Sequence, residues 1–231
     1  MLTLEPRLII AGGIAGSGKT TTIREIVRKV ANAFSIDRDD VNNGMLHITP
    51  TASAELLPFE KYVAKDTVFP DHARTVSTPF GEKIQIDPKN AFYIRHGRDQ
   101  NYLIQAEIAR TNLALGKVPI LDCFLYRSIK DGAVQLFMDL PAFAPYPKKF
   151  LYFMATEEDC YQRVVLRAQR DTSAAIRDKQ RALSREAFHD FVTKQQPIFP
   201  QELEKYQYCL INTSIENPEA CAERAIQYIS S

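Results

Sequence analysis

Nowhere in the 231 residues is there an apolar run close to the roughly eighteen residues that a membrane-spanning helix requires, which argues against a chain that crosses a bilayer in that way. The sequence also lacks an excess of either charge. Its 29 Lys and Arg against 28 Asp and Glu leave a formal net charge of +1, so no global field draws in a long nucleic acid. Cysteine is sparse: Cys123, Cys160, Cys209 and Cys221 stand far apart, with no Cys-x-x-Cys pair and no histidine cluster beside them. That spacing argues against zinc and reads as packing thiols in a reducing cytosol. Internal repeats and low-complexity tracts are absent. With 45% hydrophobic and 25% charged residues, the composition excludes a disordered or fibrous chain. The expectation is one cytoplasmic domain over residues 1–231, with oligomeric state left open. Arg7 and the stretch Leu8–Ile14 superficially resemble a secretory signal. They run directly into Gly16-Ser17-Gly18-Lys19, whose chemistry cleavage would destroy, so Met1 is expected to begin the mature chain.

What is present alternates between strand and helix patterns. Leu8-Ile9-Ile10-Ala11, closed by Gly12-Gly13, predicts a strand, and Ile23, Ile26, Val27 and Val30 recur at helical spacing across Thr20–Ala33. A second strand is predicted at Phe34-Ser35-Ile36, ending on Asp37-Arg38-Asp39-Asp40, and others at Val118–Asp122, Phe150–Met154 and Tyr208–Ile211. Helices are predicted over Tyr102–Leu115 with Gly116 as stop, from Thr156-Glu157-Glu158-Asp159 to about Arg170 on a capping signature, and over Glu186–Gln195 and Pro218–Ile229. Residues 47–94, punctuated by five prolines, lose periodicity and read as an insertion with a hairpin around Thr75–Ile86 that could bind an acceptor. Strands alternating with helices predict an α/β fold with a doubly wound, mainly parallel sheet.

Gly13-Ile14-Ala15-Gly16-Ser17-Gly18-Lys19-Thr20 matches the phosphate-binding pattern Gly-x-x-x-x-Gly-Lys-[Ser/Thr] in full, between a predicted strand and helix. The glycines let backbone N–H groups turn towards phosphate oxygens, and the helix adds its positive end. This predicts ATP held by Gly13, Ala15, Gly16, Ser17, Gly18, Lys19, Thr20 and Thr21, with Lys19 projecting into the phosphate cradle and its removal leaving the fold intact. Thr20 should ligate Mg²⁺, and Asp122, ending a strand aimed at the loop, should hold the metal's hydration shell or touch the acceptor. Asp39, with Asp37 in reserve, is placed to take a proton from an acceptor hydroxyl; the alternative is a helix N-cap made by Asp39 or Asp40. Arg163, Arg167 and Arg170 share a helix face and, with Arg177, Arg181 and Arg185, could bring two or three guanidiniums to phosphate; Arg167 and Arg170 are the candidate catalytic members. The alternative is a solvated basic face. Asn212, Thr213 and Ser214 are expected to line the nucleotide-base end. Arg95, His96 and Arg98 could grip an anionic acceptor or simply be solvated, and His47, His72 and His189 receive no role.

Ala11–Thr20, Ile36–Asp40, Leu113–Asp122 and Arg163-x₃-Arg167-x₂-Arg170-Asp171 together resemble small P-loop kinases of the AAA_33 type. That group is similar to zeta-toxin kinases and to the kinase domain of polynucleotide kinase. The resemblance implies a nucleoside-kinase-like sheet with an inserted segment and a mobile arginine-bearing lid, placed here at residues 170–185. It also implies that Asp39 matches the base of the Arg-Asp-Asp motif. Polynucleotide kinases carry an arginine soon after that motif, whereas this chain has Val41-Asn42-Asn43. The reading is therefore a Mg²⁺- and ATP-dependent phosphotransferase acting on a hydroxyl of a small polar or anionic metabolite. Its rivals are a nucleotide-gated binding module with slow ATP hydrolysis and a nucleic-acid 5′-hydroxyl kinase. The lack of an Asn-Lys-x-Asp motif disfavours a GTPase switch.

Overall fold

Leu8–Gly13 (β1) is a strand buried along its whole length, as expected of an uninterrupted apolar run with neighbours on both edges and cover on both faces. In this computed structural model it is the centre of a five-stranded parallel sheet. The structure describes residues 1–38, 41, 47–48, 73–78, 81–86, 98–124, 132–170, 178–179, 181–195, 203–204 and 206–231. The elements that follow β1 are α1 (Lys19–Lys29), β2 (Ala33–Asp37), β3 (His47–Ile48), β4 (Ala73–Thr78), β5 (Gly81–Ile86), α2 (Arg98–Ala114) and β6 (Val118–Phe124). The chain continues through α3 (Ala133–Asp139), a 3₁₀ turn at Pro141–Phe143, β7 (Lys148–Met154), α4 (Glu157–Ala168), α5 (Arg185–Gln195), β8 (Tyr208–Asn212) and α6 (Pro218–Ser230).

The chain separates into two units, one formed by Met1–Asp37 with Ala106–Ser231, the other by Arg38–Gln105. The first contains the parallel sheet, in the order β2-β6-β1-β7-β8. One core cluster unites Ile9 and Ala11 of β1, Ile120 of β6, Leu151 and Phe153 of β7 and Ile211 of β8 with Ile23 and Ile26 of α1 and Ala222, Ala225 and Ile229 of α6. A second joins Ile14, just past β1, to Cys160 and Val164 of α4 and Phe188 and Val192 of α5. Burial of apolar side chains of this size contributes roughly 1.5–3 kcal/mol each, which fixes the helices on the sheet and anchors the loop after β1 through Ile14. The second unit holds an antiparallel sheet in the order β3-β5-β4, in which β4 and β5 form the hairpin predicted around Thr75–Ile86.

Register and direction bring the functional candidates to one edge. Parallel strands share a carboxyl end, and Asp37 of β2 sits opposite Asp122 of β6, while Gly13 ends β1 beside Phe153 and Asn212 ends β8 beside Met154. The chain places β2 and β6 on one side of β1 and β7 and β8 on the other, so the direction of winding switches at the end of β1. In open α/β sheets a ligand crevice forms at such a switch point. Among the described residues no helix is long and apolar enough to cross a membrane.

Candidate nucleotide and phosphoryl-transfer site

The loop between β1 and α1 is shaped for an anion. Gly16 and Gly18 have φ of +83° and +76°, in the left-handed region that disfavours any side chain. A Cβ at Gly16 would lie 2.4 Å from the Cys160 carbonyl oxygen, and one at Gly18 would lie 2.9 Å from Thr213 Oγ1. The first turn of α1 also differs from those of its neighbours. Thr156 caps α4 by accepting from the Asp159 N–H, and Asn217 caps α6 by accepting from the Ala220 N–H, but α1 starts at Gly18 with no side-chain cap and no acidic residue in its first turn. Its N-cap residue therefore offers the leading N–H groups no side-chain acceptor, at the end where the helix dipole is positive. Ser17 Oγ is buried with no hydrogen-bond partner among the described residues. A buried hydroxyl in that condition is costly unless a ligand or water completes it. The donor set and the glycine-lined loop fit a polyphosphate.

Lys19, which the sequence directs towards phosphate, here meets a carboxylate. Its ammonium is paired with Asp122 Oδ1, and Thr20 Oγ1 donates to Asp122 Oδ2 at 2.9 Å. Asp122 is only 3% exposed, so a buried carboxylate at the end of β6 is compensated by the last two residues of the loop motif. Asp37 is half-buried beside it in register. Among the described residues no group of three or more His, Cys, Asp and Glu side chains is gathered to hold a metal. Thr20 and Asp122 bring a hydroxyl and a carboxylate together at the end of the loop, a sparse protein contribution that would suit Mg²⁺ bound largely through phosphates and water. Asp39 and Asp40 lie outside the described residues, as do Arg95, His96 and Arg177.

Thr213 and Arg163 lie against the outside of the loop. Arg163 Nη1 donates to the Gly16 carbonyl at 3.1 Å and to Thr213 Oγ1 at 2.8 Å, and its Nη2 donates to the Thr213 carbonyl at 2.9 Å. The Thr213 hydroxyl in turn donates to the Ser17 carbonyl at 2.9 Å. Asn212 turns the chain after β8 by accepting from the Ser214 N–H at 3.1 Å. Ser214 receives the Thr156 N–H at 2.8 Å, and its hydroxyl and that of Thr156 hold the Asp159 carboxyl below its ordinary value. Cys160, which abuts Gly16, is fully buried, and burial is the main cause of its thiol being pushed up to about 12. It behaves as packing, not as a nucleophile.

Arg167, Arg181 and Arg185 are also engaged. Asp178, only 3% exposed, has Arg167 Nε 2.9 Å from its Oδ2 and Arg181 Nη1 3.3 Å from its Oδ1. The Arg167 and Asp178 atoms are close as ions but are not aligned as a hydrogen bond. Arg181 lies over the Phe191 ring at 4.4 Å, and Arg185 pairs with Glu158 and lies over Tyr161. Arg170 is exposed just beyond the end of α4, which stops at Ala168 instead of reaching Arg170. Sequence reasoning missed Asp178 and the attachment of Arg163 to carbonyls. A carboxylate seven residues after Arg170-Asp171 and an arginine in the second turn of a helix carry no spacing signal that separates them from a solvated face.

No protein-family profile matches the sequence, and no curated protein matches it. Solved structures do match its fold. A protein of Chloroflexus aurantiacus described as a candidate kinase aligns with a TM-score of 0.54 and 14% identity, over 97% of this chain and 98% of that one. An unliganded sugar kinase from Janibacter sp. aligns with a TM-score of 0.50 and 13% identity, over 96% of this chain and 94% of that one. At such identities the likeness establishes the fold: an α/β parallel sheet flanked by helices, shared with chains described as kinases.

Proposed function

We propose that this chain is an ATP-dependent phosphotransferase that moves the γ-phosphate to a hydroxyl of a small polar or anionic metabolite. The observation that carries the reading is the convergence of Lys19 and Thr20 on the buried Asp122 at the switch point of the sheet, beneath a glycine loop with an uncapped helix behind it. A loop that only turned the chain would not require a buried ion pair between its lysine and the end of a neighbouring strand. The kinase descriptions of the fold neighbours and the motif resemblance to the AAA_33 and zeta-toxin kinases support the same class.

In this mechanism the loop amides and Lys19 bind the β- and γ-phosphates, with Lys19 exchanging Asp122 for phosphate oxygens. Thr20 and Asp122 supply the protein's share of Mg²⁺ binding. Held there, Mg²⁺ would supply positive charge against the phosphates. The acceptor hydroxyl gives its proton to a carboxylate at the end of β2, Asp39 by the motif and Asp37 by its position next to Asp122. Arg167 and Arg170 supply charge to the transferring group. Asn212 and Thr213 border the loop on the side away from β2.

Calorimetric titration with Mg·ATP and transfer of labelled γ-phosphate to a panel of sugars, sugar acids and other hydroxyl metabolites test the proposal. Binding and transfer that both vanish in Lys19→Ala support it. Binding with hydrolysis but no transfer to any hydroxyl would replace it with the nucleotide-gated module, and transfer only to oligonucleotide 5′ ends, with steep salt dependence, would replace it with the nucleic-acid kinase.

A further inference from the structure

The phosphate loop makes its own turn through Ser17 N–H donating to the Ile14 carbonyl at 3.2 Å, its Gly18 carbonyl accepts the Thr22 N–H of α1 at 3.0 Å, and its Gly16 and Ser17 carbonyls are taken by groups from outside the loop. A trans peptide is planar, so its C=O and N–H point to opposite sides of the chain. Any outside group that grips the carbonyl of one peptide therefore aims that peptide's N–H. Two residues far away in sequence provide such grips. The Thr213 hydroxyl holds the Ser17 carbonyl, which orients the Gly18 N–H away from Thr213, and Arg163 holds the Gly16 carbonyl, which orients the Ser17 N–H that closes the turn.

The two grips form one unit. Arg163 spends its guanidinium on the Thr213 carbonyl and hydroxyl as well as on Gly16, and the Thr213 hydroxyl accepts from Arg163 while donating to Ser17. Thr213 is fixed in turn by its N–H donating to the Met154 carbonyl at 2.9 Å. Close packing of Gly18 against Thr213 leaves the loop little room to move on that side. Charge-assisted hydrogen bonds of this kind are about twice as strong as neutral ones, so a guanidinium on carbonyl oxygens is a firm clamp.

We infer that Arg163 and Thr213 are positioning residues that hold the Gly16–Gly18 backbone in its phosphate-binding shape before nucleotide arrives. Arg163 is thereby assigned to the loop and not to the lid. The inference rests on the proposed nucleotide reading of the loop. Preorganisation of this sort raises affinity by removing the cost of ordering the loop on binding.

The test measures Mg·ATP affinity by calorimetry, with thermal melting alongside, in Thr213→Val, Thr213→Ser, Arg163→Met and the double variant Arg163→Met/Thr213→Val. Thr213→Val keeps the shape and removes only the hydroxyl. It should weaken Mg·ATP binding by about tenfold or more, the scale of losing a hydrogen bond to a charged network. Thr213→Ser restores the hydroxyl and should bind within about threefold of wild type, a rescue that loss of packing would not give. The double variant should bind no more weakly than the worse single one, since both break one unit. If Arg163→Met fails to fold, Thr213→Val and Thr213→Ser decide the matter. Wild-type affinity in folded Thr213→Val, while Lys19→Ala loses binding, overturns the clamp and leaves the nucleotide reading standing. Wild-type affinity in Lys19→Ala, or no Mg·ATP binding by the wild type, overturns both.

Discussion

Replacing Lys19 with alanine tests the pair at the centre of the site before any ligand is added. The sequence alone suggests that Lys19 projects into a phosphate cradle and that its loss spares the fold. The structure adds a cost in stability, because the Lys19 side chain is 14% exposed and the side chain of its partner Asp122 is 2% exposed. Breaking a buried pair from one side costs about 3–5 kcal/mol, since the remaining ion stays buried without its counter-charge. Two features lower the figure. The ammonium retains some solvent, and Thr20 continues to donate to the carboxylate. About 2–3 kcal/mol is then expected, which at about 2–4 °C per kcal/mol for a chain of this size lowers Tm by roughly 4–12 °C.

The assay is thermal melting of the free proteins at fixed pH and ionic strength, in a cycle with Asp122→Asn. The double variant Lys19→Ala/Asp122→Asn removes the stranded charge while keeping an acceptor for Thr20, so it should recover much of the loss. Saturating Mg·ATP adds a second readout: at a hundredfold excess over Kd it stabilises the wild type by about 2.7 kcal/mol, a gain that Lys19→Ala should not show. Melting of Lys19→Ala at the wild-type temperature, or a double variant weaker than either single one, would refute the reasoning about the pair.

Asp39→Asn or Asp37→Asn should lower phosphoryl transfer by about 10²-fold or more with Mg·ATP affinity little changed, and whichever variant does so identifies the base; unchanged turnover in both removes a carboxylate base from this strand end. Gly16→Ala should destabilise by about 2–5 kcal/mol, combining about 1–2 for a left-handed side chain with about 1–3 for overpacking against the Cys160 backbone, and near-wild-type melting would contradict the loop geometry. Cys160 should resist alkylation in the native state at pH 8. Its folded value of about 12 lies above the ordinary 9.0, so the unfolded chain ionises first and stability falls as pH rises from about 9 to about 12, by up to about 1.4 kcal/mol per unit. Cys160→Ala should flatten that slope, and an equal loss of stability between pH 8.5 and 10.5 in the wild type and the variant, read from denaturant titrations, would refute the assignment.

The parallel sheet and the loop were legible because their signals are local. An apolar run such as Leu8–Ala11 has only a buried strand to become, and the glycine spacing fixes the loop wherever it occurs. Strand ends moved by a residue or two, as at Lys148 and Asn212, because hydrogen-bond pairing with a neighbour extends beyond the apolar stretch. The short helix Ala133–Asp139 was not anticipated, since seven residues offer too little periodicity to read. The site was half legible. Lys19, Thr20 and Asp122 were named as a group from the motif and the strand end, but their mutual pairing was not, because it depends on the spatial meeting of β6 and α1. Thr213 was placed near the nucleotide for its position after β8, while its grip on Ser17 is a contact across 196 residues that no spacing encodes.

Cations meant for phosphate pose a problem for a protein that must also exist without nucleotide. Lys19 and Arg167 are two of the three cations that the proposed chemistry directs to phosphate, and in this structure each of these two faces a buried carboxylate, Asp122 for the first and Asp178 for the second. An unpaired cation in a partly buried site would lose solvation without compensation, and two near one another would repel. A carboxylate held on the scaffold solves both, and it also lowers the net affinity for phosphate, because each contact to the ligand is an exchange of one anion for another. The exchange at Lys19 has somewhere to send the displaced partner, since Asp122 keeps the Thr20 hydroxyl and lies where Mg²⁺ is proposed. The exchange at Arg167 is made easier by its imperfect geometry, with the ions close but not hydrogen-bonded, and by Arg181 remaining to hold Asp178. On the proposed reading, triphosphate with its metal supplies enough charge to win both exchanges together, whereas a lone phosphate contests each against a carboxylate already in place.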